Sequence, residues 1–149
     1  MLSNARPTEI NPLLACIAPA SVASGATVTS GWVSLAEVLT LQAVINAGVF
    51  GAGGTVDAKI QQATSATGTG AKDITGKAIT QLVAAGGNNR QAIINLRSSD
   101  LDCDNNYAFV QVSITVGGAA VLLSASVIAG AVRYMAKSTM LSSIAQVVS

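Results

Sequence analysis

Tyr107-Ala108-Phe109-Val110-Gln111-Val112-Ser113-Ile114-Thr115-Val116-Gly117-Gly118 is the stretch whose reading decides the fold class. Ala108, Val110, Val112, Ile114 and Val116 share one parity, and Tyr107, Phe109, Gln111, Ser113 and Thr115 the other. A period of two is the mark of a strand, because successive side chains of an extended chain point to opposite faces. The paired glycines accept positive φ and reverse the chain into residues 119–132, where both parities are apolar or small. Such a strand belongs in the middle of a sheet or under a partner. No charge occurs between Asp104 and Arg133, a span long enough to suggest a membrane helix. The glycine pair, the alternation and Gln111, Ser113, Thr115, Ser124 and Ser126 instead point to two strands.

The same rhythm continues toward the N-terminus. Gln91 to Arg97 turns Ala92, Ile94 and Leu96 inward, and Gly86-Gly87-Asn88-Asn89 before it is a turn signal, predicting a hairpin with a strand over 77–84. Thr55 to Ala63 places Val56, Ala58, Ile60 and Gln62 opposite Asp57, Lys59 and Gln61, a strand with one wet face. The small polar run 64–71 makes the connection to 77–84 a long-looped hairpin. Residues 27–34, around Trp32, and 39–47 complete the set, with the glycine-rich run 48–54 as a turn or loop tip. Seven or eight strands at this spacing predict an all-β protein, an antiparallel β-sandwich of jelly-roll type over residues 25–132.

The two ends read differently. Residues 1–24 hold all three prolines, Pro7, Pro12 and Pro19, too closely spaced for a helix or central strand, and predict an extended N-terminal arm. Leu13, Leu14, Cys16 and Ile17 form an apolar knot within it that should dock on the domain or on a neighbour. Residues 133–149 change period: Ala136, Met140, Ile144 and Val147 recur at three- and four-residue steps, predicting a short C-terminal amphipathic helix. The N-terminus carries Glu9 and Pro7 where a secretory leader would have a basic region and an apolar run, so synthesis in a cytoplasm is expected.

Composition narrows function. Charged residues are 10% of the chain and hydrophobic ones 50%, against about 25% charged in an ordinary domain. Such a chain lacks the charge to coat a lone molecule, and part of its surface should meet protein or lipid. Eight Lys and Arg balance seven Asp and Glu without any basic concentration, so nothing favours nucleic acid. Histidine is absent, which removes the commonest general base, zinc ligand and pH switch.

The remaining constellations are weak. Asp100, Asp102 and Asp104 alternate like calcium ligands but lack the glycine and distal glutamate of a calcium loop, and read as an Asx-rich turn. Residues 48–54 are followed by neither the lysine and hydroxyl of a P-loop nor a helix, so no cofactor or metal is expected. Serines have no histidine and no nucleophile elbow, and a serine–lysine dyad with Lys59, Lys72 or Lys77 has no support. No catalytic residue is assigned; the chain is expected not to be an enzyme. Cys16 and Cys103 are too far apart for a metal knuckle and read as buried thiols, with a disulfide as the alternative. Trp32 reads as a core or interface anchor.

The runs Gly31-Trp32-Val33-Ser34-Leu35-Ala36, Gly51-Ala52-Gly53-Gly54-Thr55-Val56-Asp57-Ala58-Lys59-Ile60-Gln61-Gln62-Ala63-Thr64, Gly70-Ala71-Lys72-Asp73-Ile74 and Ala92-Ile93-Ile94-Asn95-Leu96-Arg97 resemble a family of small tailed-bacteriophage virion structural proteins, similar in size to head decoration or cement proteins. The resemblance spans residues 30 to 133 and leaves both ends outside it. It implies a place on the virion without fixing which; the place expected is the capsid surface, with the major capsid protein and further copies of this chain as partners. A symmetric homo-oligomer such as a trimer would suit a capsid lattice; neither nucleic acid nor membrane is a partner. A tail, collar or fibre part that attaches to the host is the alternative. Leu13, Leu14, Ile17, Trp32, Met140 and Ile144 are the expected interface residues.

Overall fold

The structure, a computed structural model, describes residues 6–132. One turn of helix, α1 (Pro7–Ile10), precedes ten strands. These are β1 (Leu13–Val22), β2 (Thr27–Thr29), β3 (Val33–Ser34), β4 (Val38–Phe50), β5 (Thr55–Ala63), β6 (Lys72–Ala78), β7 (Leu82–Val83), β8 (Arg90–Arg97), β9 (Phe109–Gly117) and β10 (Val121–Val132). All pairings are antiparallel. The first sheet has the order β1-β10-β4-β8 and the second β2-β9-β5-β6, with β3 beside β9 and β7 beside β5.

Since β2 and β3 share the neighbour β9, and β6 and β7 share β5, each pair is one interrupted strand. The eight strands that result alternate between sheets, except that the fourth and fifth share one. The first, eighth, third and sixth form one sheet, and the second, seventh, fourth and fifth the other. This is the jelly roll, two Greek keys folded over a single core. Only β5 and β6 are joined as a hairpin within one sheet; the other connections between the eight cross the sandwich.

Period-two alternation supplies the core. Ile45, Val56, Ile60, Leu96, Val112, Ile114, Val116 and Val127 are at most 2% exposed, and Phe50 is the one aromatic side chain of the core among the described residues. At about 25 cal/mol per Å² of buried apolar surface, branched aliphatics packed sheet against sheet carry the stability that aromatics carry elsewhere. Val56, Ala58, Ile60 and Gln62 face inward along β5, and Val110, Val112, Ile114 and Val116 along β9, on the parity read from the sequence.

Several expectations are corrected. Residues 13–22 are not an arm outside the domain. They form β1, an edge strand whose register runs from Leu13↔Ile128 to Val22↔Val121. Pro19 falls where that register slips, between Ile17 and Ala20, and an edge strand tolerates proline because its outward amide has no partner to lose. Pro7 likewise opens α1 at a position where a missing amide costs nothing. Gly48 lies inside β4, so the turn is confined to 51–54. β8 does not form a hairpin with residues 77–84; it crosses to the first sheet and pairs with β4, from Thr40↔Arg97 to Ala47↔Arg90. β9 and β10 lie in different sheets, so Gly117-Gly118 turns a corner of the sandwich. Cys16 and Cys103 are free and exposed. Cys16 sits at an outward position of β1, and Cys103 lies in a surface 3₁₀ turn. The helix expected over 133–149 lies outside the described residues.

Candidate interaction surface

The outer faces of the two sheets differ in chemistry. β1, β4 and β10 contain no charged residue, and β8 carries only Arg90 and Arg97, one at each end. Adjacent strands in the first sheet bring outward positions into rows. Cys16 pairs with Ser126, Ser126 with Val44 and Val44 with Ile93. The neighbouring rows join Ile128 to Gln42 and Asn95, and Ser124 to Asn46 and Gln91. Ile93 is 57% exposed, Leu122 47% and Leu39 41%. A shallow, mainly apolar depression of about 320 Å³ lies between Pro19, Ala20, Asn46, Gly48, Leu122 and Ser124. An uncharged face with exposed apolar side chains is the kind of surface that suits burial against protein.

The edges of this sheet are less inviting. β1 is interrupted by Pro19 and two register shifts. On the far edge, the Lys77 Nζ donates to the Asn95 carbonyl of β8 at 2.9 Å. Proline, bulges and lysine on an edge discourage strand addition.

The outer face of the second sheet is polar and internally bonded. Gln111 Nε2 donates to Gln61 Oε1 (3.1 Å), Gln61 Nε2 to Asp73 Oδ1 (2.9 Å) and Lys59 Nζ to Asp73 Oδ2 (2.7 Å). Gln81 Nε2 donates to Asp57, and the hydroxyls of Thr27 and Thr115 are 2.8 Å apart. Polar groups already bonded to one another and wetted by solvent offer a partner little gain.

At one end, a clasp ties β6 to the 98–106 connection between sheets. Lys72 pairs with Asp102, Lys77 with Asp100, and the Asp102 amide donates to the buried Gln62 side chain at 2.9 Å. Lys72 Nζ also stands 4.2 Å from the centre of the Tyr107 ring, and Tyr107 Oη donates to the Gly70 carbonyl. The Asp100–Asp102–Asp104 run is thus an Asx-rich turn in which the first two carboxylates are ion-paired. Among the described residues, no group of three acidic or cysteine side chains could hold a metal. Lys59, Lys72 and Lys77, the lysines weighed for a dyad, are each paired to an aspartate.

These bonds predict an acid-sensitive clasp. The Asp102 carboxyl is held below its ordinary 3.8 by the Lys72 ammonium and then by Asn105. Asp100 is lowered by the Arg97 amide and Lys77, and Asp73 by Lys59 and Gln61. Because the unfolded chain binds these protons more readily, the stabilisation is present above 3.8 and lost as pH falls through the lower folded values. Lys72, raised above 10.5 chiefly by Asp102, keeps the pair formed below that value and loses it as pH rises further. The thermal midpoint should therefore hold down to about pH 5 and fall as the pH drops to about 2, and Asp102→Asn should flatten that fall. An identical acid limb in wild type and variant would show that Asp102 takes no part.

The structure disperses the interface residues expected from sequence. Leu14 and Ile17, each 8% exposed, are core residues: they have opposite parity, and the register shift between Leu13 and Ala15 lets both be buried. Leu13 is half-buried, opposite Ile128. Trp32 is half-buried and lies against Gly68, where an added Cβ would stand 2.5 Å from the indole nitrogen, so it staples the 64–71 loop. Met140 and Ile144 lie outside the described residues. Sequence reasoning missed Val44, Ile93, Leu122 and Ile128 as one surface. The signal was the absence of charge from three separate strands, which becomes a face only when β1, β10 and β4 are laid side by side.

No protein-family model and no curated protein matches the chain. Solved structures of infectious bursal disease virus contain chains with a similar arrangement. The Gt-strain structure shares 10% identity at a TM-score of 0.40, covering 80% of this chain and 32% of that one. The VP2 subviral particle shares 13% at 0.42, covering 80% and 32%, and the Gx strain 13% at 0.43, covering 83% and 34%. This chain therefore spans about a third of the length of each.

Proposed function

We propose that this protein is a structural subunit of a tailed-phage virion, a head decoration protein that cements the shell by docking on the major capsid protein and on copies of itself. The observation that carries the reading is the division of charge between the two outer faces. One is uncharged and suited to burial, the other ion-paired and suited to solvent. Decoration requires that polarity, since a cement protein has one side on the shell and one in water.

The area is adequate. Four strands spaced about 4.8 Å apart and running for roughly 35 Å present on the order of 700 Å², close to the ~800 Å² each partner contributes to a standard interface. The jelly roll serves viral capsids, lectins and cupins alike, so the fold alone does not choose among roles. The face favours assembly, and the resemblance over residues 30 to 133 favours a phage. Reinforcement of this kind needs no catalytic group. A host-attachment role draws no support from the loop end, where Trp32 and Tyr107 are engaged in holding residues 64–71.

Particles assembled without the protein should release their genome at lower temperature or under milder salt stress than complete ones, with a dye that reports exposed DNA as the readout. Adding back purified protein should restore the complete particle's release curve. Identical release with and without the protein would remove the cementing role and leave display or attachment.

A further inference from the structure

The outer face of the first sheet is built from groups that carry their own complement. Val44 and Ile93 are apolar, Ser124 and Ser126 hold hydroxyls, and Asn46 holds an amide. Hydroxyls and amides both donate and accept, so such a face can meet a copy of itself without setting like charge against like. We propose that two copies of this chain stack through the outer faces of their first sheets, about a two-fold axis that runs along the strands between β10 and β4. The inference deepens the proposed function: it rests on that reading for the association of copies and gives that association a surface.

Area and charge both favour a second copy as the occupant. A face of about 700 Å² on each copy buries roughly 1,400 Å² in the pair, within the range of about 1,200–2,000 Å² that stable interfaces occupy. The direction of the axis follows from β8, the strand of this sheet that carries charge. An axis across the strands would stack β8 on β8 and bring the arginines at its two ends toward those of the other copy. An axis along the strands lays β8 on the uncharged β1 instead, and like charges are kept apart. The row Cys16–Ser126–Val44–Ile93 then meets its own reverse, with Cys16 opposite Ile93 of the other copy and Ser126 opposite its Val44. Two sheets with nearly aligned strands pack in the same way inside a β-sandwich. Because each copy spends the same face, the contact closes at two.

Sedimentation of the full chain at tens of micromolar should give the mass of two copies. Val44→Glu should give the mass of one, and Lys59→Ala, on the other sheet, the mass of two. Ile93→Glu and Cys16→Lys change exposed positions, and each should weaken pairing about tenfold or more by facing an unpaired charge to the other copy. Combined in one chain, they should regain about tenfold over the weaker single variant, since each Glu then faces a Lys of the other copy. Within one copy the two positions stand at opposite edges of the sheet, about 14 Å apart, too far to pair with each other. A single-copy mass for the wild type would overturn the inference, as would a three-copy mass or pairing that survives Val44→Glu. So would a double variant no better than the weaker single one, the result expected if like strands face each other. Thermal unfolding checks that every variant is folded. Genome release is measured on particles, so a single-copy mass here leaves the cementing role standing, and unchanged release there leaves the pair standing.

Discussion

Val44→Glu should abolish binding to the shell while leaving the sandwich folded. Val44 occupies the middle of the row Cys16–Ser126–Val44–Ile93, with its side chain outward and no part in the core. The free protein loses little, about 1 kcal/mol or less, which is the span of strand propensity at an outward position. Docked, the carboxylate would be buried against an uncharged surface, and β1, β4 and β10 offer no cation among the described residues. An unpaired buried charge costs several kcal/mol, so affinity should fall by about a hundredfold or more. Co-sedimentation with shells lacking the protein measures the loss, and thermal unfolding confirms the fold. Lys59→Ala on the opposite sheet should bind as the wild type does. Wild-type affinity in Val44→Glu, or equal losses in both variants, would show that the first sheet's face is not the docking surface.

The second large effect concerns folding and centres on Gly118. This residue has φ +70°, and an added Cβ would run into the backbone carbonyl of Gly53. The β4–β5 and β9–β10 turns meet here, with the Gly51 amide donating to the Ala120 carbonyl at 2.8 Å. Gly118→Ala therefore combines left-handed strain, about 1–2 kcal/mol, with displacement of one turn by the other. The total should reach about 2–4 kcal/mol, seen as a fall of roughly 10 °C in the thermal midpoint. Gly25→Ala is the control, because Gly25 has φ +82° with nothing within 4 Å of the added carbon. It should cost the strain alone. Equal losses in the two variants would mean that the two turns do not approach this closely.

The face and the turns differ in how far they could be read in advance. Gly117-Gly118 announces a reversal, because only glycine accepts that backbone cheaply. Nothing local tells whether the reversed chain pairs with the strand it has left or crosses to the other sheet. The run 86–89 shows the same limit, since β8 follows a strong turn signal yet pairs with β4. Cys16 and Ile17 show it in β1, where an apolar knot was legible but the side of each residue depended on a partner strand more than a hundred residues away.

Period-two alternation, scarcity of charge and the absence of histidine are properties of neighbouring residues and of totals. They determined an all-β sandwich, the inward set of β5, β8 and β9, and a surface suited to protein. Which strands lie side by side is settled by what can be buried together over long separations, and only the tertiary structure decided the jelly-roll order, the place of β1 at an edge and the merging of three uncharged strands into one face. The physical reason is range: a strand's two faces are set by adjacent residues, whereas its neighbours are chosen by the whole core.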